Sequence, residues 1–143
     1  MAKGDDIQER LVDFAVRVLK VCDSLPRTAA GHHVGNQLLR SGTAPAAQYA
    51  EARGAESTAD FIHKLKICLK ELNETQIWLQ ITSKSNMISP EKLSDLQAEC
   101  ISLAKIINTS ITTAKTSLPP GKAIREADAG PYLIDNQQLT INN

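Results

Sequence analysis

Phe61, Leu65, Cys68, Leu72, Thr75 and Leu79 step along the chain by four and three residues in turn. That spacing is the seam of a helix packed against other helices; a half-buried strand would alternate every second residue. The segment carrying it runs from about Ser57 to Lys84. At its start, Ser57 followed by Asp60 resembles a capping box, with the shorter acid in the reaching-back position. A helix this long buries its stripe only against partners of similar length, so the rest of the chain is read for them.

Three further segments qualify. From about Asp6 to Ser24, the residues Ile7, Leu11, Phe14, Val18, Val21 and Leu25 form one stripe, with Asp5 or Asp6 as the expected cap and Pro26 as the stop. From about Thr28 to Gly54, Gly31, Gly35, Leu38, Gly42, Pro45, Tyr49 and Ala52 share a face, and Ala44, Ala46, Ala47 and Ala50 fill much of the rest. Side chains this small let helix axes approach below the usual 8–10 Å. Interior glycine costs about 1 kcal/mol and interior proline about 3 kcal/mol, which close packing must offset. The sequence leaves open one helix kinked near Pro45 or two shorter ones broken at Gly42-Thr43-Ala44-Pro45. The last segment opens on Ser89-Pro90-Glu91, an N-cap with proline at the first helical position. Its stripe is Leu93, Leu96, Cys100, Leu103, Ile107, Ser110 and Ala114. Short connections make neighbours antiparallel. The predicted fold is all-α, an up-down-up-down antiparallel four-helix bundle over residues 1–117, followed by an irregular tail over 118–143. In that tail Pro119, Pro120, Gly121, Gly130 and Pro131 oppose helix, while Tyr132-Leu133-Ile134 and Leu139-Thr140-Ile141 are weakly strand-like. A flexible end is the default reading; the functional one is a segment that orders against a neighbouring subunit or partner.

Composition narrows the function. With 143 residues the chain has room for one domain, and 3% aromatics means an aliphatic core. Sixteen Lys+Arg balance sixteen Asp+Glu, which excludes a chain-wide cationic field while permitting a local basic face. The acidic start lacks the apolar stretch of a secretory signal, and no run approaches the ~18 apolar residues of a membrane span. Cys22, Cys68 and Cys100 are widely spaced on apolar stripes and read as buried thiols, neither a disulfide framework nor a zinc site. The expected compartment is the cytoplasm.

Catalytic signatures are absent: there is no phosphate loop, H-E-x-x-H or G-x-S-x-G. Asp60-x-x-His63 is one near match to a di-iron bundle motif, but His63 shares its face with Lys66 and Lys70, and cations beside the ligands argue against a metal there. His32 and His33 point about 100° apart on a helix and read as a surface terminus. No cofactor and no enzymatic activity are expected. Arg10, Arg17 and Lys20 on the first helix, with His63, Lys66 and Lys70 on the third, are the candidate nucleic-acid contacts, since clustered cations supply phosphate affinity. Ile67 and Trp78 lie within about 20° of each other and well off the main stripe. They are the candidate contact between subunits.

Gln37-Leu38-Leu39-Arg40-Ser41-Gly42-Thr43, Ala50-Glu51-Ala52, Asp60-Phe61-Ile62-His63-Lys64-Leu65, Lys70-Glu71-Leu72-Asn73-Glu74-Thr75 and Trp78-Leu79 together resemble one family. It is that of the bacterial four-helix bundle proteins encoded in intervening sequences of 23S ribosomal RNA genes. The resemblance covers about residues 7–117 and leaves out the tail. It implies a ring-like homopentamer, similar in fold to the accessory variability determinant of diversity-generating retroelements, with RNA or a nucleic-acid-associated protein as partner and no membrane association. Carried onto this chain, it makes Arg40, Glu51, Asp60, Lys64, Glu71 and Glu74 a polar network between helices or subunits, with Arg40 pairing Glu51 or Glu71. The chain departs from the family pattern at Ala44-Pro45-Ala46-Ala47-Gln48, where a Ser-Ile-x-Ala-Asn run is usual, and in its zero net charge.

Overall fold

The computed structural model of the chain describes residues 2–118. Four helices follow one another: α1 (Asp5–Asp23), α2 (Ala29–Arg53), α3 (Thr58–Lys84) and α4 (Pro90–Thr116). Each packs on its neighbour in the chain, and α1 touches α4 to close a four-helix bundle. Cross-helix contacts fix the directions. Asp5 meets Arg53 at one end while Cys22 meets the Gly35 carbonyl toward the other, so α1 and α2 are antiparallel. Lys64 reaches Glu51 and Thr75 reaches Ser41, which makes α2 and α3 antiparallel as well. The predicted tail lies outside the described residues except for Leu118, which packs against the core.

Helix ends follow local chemistry, with two corrections. Thr28 and Ser57 cap α2 and α3, their hydroxyls accepting from the Gly31 and Asp60 N–H groups at 3.1 Å each. At α1 the cap position belongs to Gly4, not to an aspartate. Asp5 sits in the first turn instead, where its carboxylate accepts from the Ala2 N–H at 2.8 Å and from Arg53 at 2.6 Å. Ser89 holds the cap position of α4, ahead of Pro90, but its side chain makes no capping hydrogen bond. The α1–α2 turn admits only glycine at position 31, because a Cβ there would fall 1.9 Å from the Pro26 carbonyl oxygen.

α2 is one continuous helix with Pro45 inside it, which settles the alternative that the sequence left open. Its small face is buried on both sides. Gly42 lies against Val18 of α1, and the Pro45 carbonyl accepts the Cys68 thiol of α3 at 3.5 Å. The core is aliphatic, as its composition requires: Leu11, Val18, Leu38, Leu65, Leu72, Leu103 and Ile107 are fully buried, with Phe14 the one fully buried aromatic among the described residues and Tyr49 also in the core. Burial of each such side chain contributes about 1.5–3 kcal/mol.

Candidate functional surfaces

The polar positions gather on the α2–α3 seam. Arg40, one residue before buried Ser41, sends its guanidinium across to Glu71 at 3.1 Å and to Glu74 one turn further on. Because α2 and α3 run antiparallel, the same seam brings Lys64 to within 3.3 Å of Glu51 nearer the other end. Beneath them the Ser41 and Thr75 hydroxyls are hydrogen-bonded at 3.0 Å in the interior. The hydrogen bond that Arg40 donates to Glu74, with the two negative charges nearby, holds the Arg40 pKa above its ordinary value. Arg40 pairs with Glu71 as expected, and Glu51 goes to Lys64. Asp60 stands apart at the α3 N-terminus, where its backbone N–H donates to the Ser57 hydroxyl. These are partly solvated ion pairs, and each contributes at most about 1 kcal/mol.

The two sets of cations are less continuous than the helical wheel suggests. Arg10 is bound by Glu99 and donates to the Ser102 hydroxyl at 3.2 Å, so it clamps α1 to α4. Lys66, expected on a solvated basic face with His63 and Lys70, is buried at 9% exposure. The reason is the width of the α3 contact face: Ile62, Leu69, Asn73 and Gln76 are buried too, far wider than the Phe61–Leu79 seam. A helix flanked by two neighbours loses more than half its circumference to them. His63 remains exposed and Lys70 half-buried, while on α1 Arg17 is half-buried and Lys20 exposed. Within the described residues, neither amide atom of buried Gln76 has a hydrogen-bond partner.

Trp78 is half-buried and packs against the core, its ring meeting His33 of α2 edge-on at 5.7 Å between centroids. Ile67 is half-buried nearby on the wheel. The apolar side chains most open to water lie elsewhere. Val12, Val16 and Leu19 on α1 are 46%, 44% and 43% exposed, and Leu39, Ile77 and Ile81 are similarly open. The spacing of Val12, Val16 and Leu19, four then three, is itself a helical stripe legible in the sequence beside the Ile7–Leu25 stripe.

An open cleft of about 280 Å³ lies where α1 turns into α2, lined among others by Cys22, Asp23, Arg27, His32 and Asn36. Among the described residues no group of three or more His, Cys, Asp or Glu could hold a metal, and Asp60 and His63 are not joined by a third ligand. Burial pushes the Cys68 thiol up to about 12, and burial likewise raises Cys100 and Cys22. Thiols held protonated this way are poor nucleophiles. Among the described residues no helix is long and apolar enough to cross a membrane.

Bundle, seam and surface together define an all-α helical-bundle protein whose described residues hold no assembled catalytic constellation. The chain belongs to the family of 23S rRNA-intervening sequence proteins, whose model matches residues 5–109. It is also similar to a crystallised protein of unknown function from the S23 ribosomal protein family of Bacteroides thetaiotaomicron. The two are 33% identical, and the match covers 73% of this chain and 97% of that one with a TM-score of 0.70. No curated protein matches the chain.

Proposed function

We propose that the chain is a non-enzymatic, self-associating bundle that binds RNA through cations repeated on each copy. The observation that carries it is the exposed row Val12, Val16 and Leu19, beside which stand Arg17 and Lys20. A contiguous apolar row in water favours a covered state. Covering it by further copies multiplies a weak cationic patch that a single copy with zero net charge cannot make strong. The family description, which ties its members to an insertion in a ribosomal RNA gene, supports RNA as the partner.

Binding of a labelled RNA carrying a 23S intervening sequence, titrated between about 50 and 200 mM salt, tests this reading. Phosphate-driven affinity falls steeply over that range. Arg17→Ala and Lys70→Ala should each weaken it and flatten the salt dependence. A second reading, a scaffold that binds another protein and no RNA, is favoured by the capture of Arg10 by Glu99 and the burial of Lys66, which thin the cationic face. Absence of RNA binding at low salt selects the scaffold.

A further inference from the structure

We infer that the cleft at the α1–α2 turn holds one unpaired nucleotide, with guanine the base that fits it best. The inference rests on the RNA reading above and deepens it by naming the place where a strand is read. A free mononucleotide tests the cleft apart from RNA.

The cleft forms where α1 ends and α2 begins. Its volume, about 280 Å³, falls just under the range of about 300–1,000 Å³ typical of pockets for drug-sized ligands. A single base with its sugar suits that space; a helix or a duplex does not. Leu25, Pro26 and Leu39 supply apolar wall, and Gly31 and Gly35, one turn apart on α2, line it without side chains. Apart from the backbone of α2 itself, a Cβ on Gly35 would meet one atom among the described residues, Leu25 Cδ1 at 3.3 Å. A longer side chain at position 35 therefore has the cleft to occupy.

The polar rim narrows the ligand. Asp23 ends α1, Arg27 stands in the turn, and His32 and Asn36 stand on α2 at the four-residue spacing that makes helical side chains neighbours. All are exposed, and among the described residues their side chains make no hydrogen bond or ion pair, so a ligand engages them without breaking a contact. Bare phosphate would gain Arg27 but face Asp23, and a simple cation the reverse. Cys22, Asp23 and His32 do not assemble into a metal-holding group. A nucleotide carries both chemistries: a phosphate for Arg27 and a base edge for Asp23 and Asn36. Unpaired bases are recognised in this way, by hydrogen bonds to their edges and by stacking on rings such as that of His32. An ionised carboxylate only accepts, whereas the Asn36 amide both donates and accepts. Guanine presents two adjacent N–H donors on its pairing edge, where adenine and cytosine present one amino group and uracil one N–H. Asp23 thereby selects guanine.

The probe is guanosine 5′-monophosphate, titrated into the full 143-residue chain at about 50 mM salt by calorimetry, with the histidine ring signals followed by nuclear magnetic resonance. It should shift the His32 signals and bind about tenfold more tightly than the adenine, cytosine or uracil mononucleotides, the discrimination of one good bidentate pair. Inorganic phosphate should bind more weakly still. Arg27→Glu should weaken the guanine nucleotide about tenfold or more, the scale of a lost charge-assisted contact. Asp23→Asn should erase the preference among bases. Gly35→Leu should close the cleft with unchanged helicity by circular dichroism; Arg27, exposed and outside the helices, supplies the readout should that variant fail to fold. The same changes should weaken the labelled intervening-sequence RNA. Equal binding of all four mononucleotides and inorganic phosphate overturns the inference, leaving a plain anion contact at Arg27. RNA binding that survives Arg27→Glu and Gly35→Leu, with no mononucleotide bound, also overturns it and leaves the RNA reading to the other cations. Selective binding of the guanine nucleotide without RNA binding upholds the cleft as a site for the free nucleotide and removes the RNA reading.

Discussion

Gly42 of α2 and Val18 of α1 occupy one site: a Cβ on Gly42 would fall 2.6 Å and 2.8 Å from the two γ-carbons of Val18. Val18 is fully buried and has no free direction in which to yield. The contact sets how near the two helices lie, because a methyl group at position 42 would have to push them apart.

Gly42→Ala should therefore destabilise the bundle. Overpacking costs about 1–3 kcal/mol, against about 1 kcal/mol gained in helix propensity. Urea denaturation should show a net loss, and the Val18→Ala/Gly42→Ala double variant should be more stable than the sum of its single changes predicts. Additivity would mean that the two residues do not compete for the same space.

Arg40→Ala should remove the bridge to Glu71 and Glu74 at small cost, about 0.5–1 kcal/mol, since Arg40 is half exposed. The loss should shrink at high salt. Thr75→Val, by contrast, strips the buried Ser41 hydroxyl of its partner and should cost about 1–3 kcal/mol at any salt concentration. Thermal melts at two ionic strengths separate the two behaviours.

Thiol labelling should discriminate among the cysteines. Cys68 is buried with its pKa raised to about 12, and Cys100 is buried with its pKa raised as well. Cys22 is half-buried. A thiolate reagent at pH 8 should modify Cys22 first in the folded chain and reach the other two only through unfolding. Mass spectrometry of a short time course reads the order directly. Early modification of Cys68 would contradict its burial.

Asp5 ties stability to pH. Its hydrogen bond with Arg53, and then that from the Ala2 N–H, hold the folded carboxyl below its ordinary value of 3.8. A depressed carboxyl pKa contributes stability that is present above the unfolded value and is lost as pH falls through the folded one. Arg53→Ala should thus lower stability near neutrality and leave it nearly unchanged at the acid end, as read from chemical denaturation across pH 2–6. An equal loss at every pH would assign Arg53 a packing role instead.

Gln76→Leu should be neutral or stabilising, by about 1 kcal/mol, because neither amide atom of this buried side chain has a hydrogen-bond partner among the described residues. A marked loss of stability would reveal a buried water or polar contact satisfying the amide.

Much of the bundle is determined by the sequence alone. The four–three spacing of Phe61 to Leu79, the stops at Pro26 and Gly54 and the Ser89-Pro90 start are local signals: α1 ends at Asp23, three residues before Pro26, α2 ends at Arg53 beside Gly54, and α4 starts at Pro90. The polar seam was legible for a different reason: the family resemblance named Arg40, Glu71 and Glu74, and the antiparallel pairing of α2 with α3 brings them together. Tertiary structure decided what a one-dimensional period cannot. A helical wheel orders residues around one axis but does not say how many neighbours that helix has. Lys66, Asn73 and Gln76 are buried because α3 is flanked by both α2 and α4, and Val12, Val16 and Leu19 remain in water because α1 turns only its other side to α2 and α4. Pro45 stays inside an unbroken helix because Val18 and Cys68 hold its surroundings from both sides, an energy that resides in contacts between helices and in no single segment.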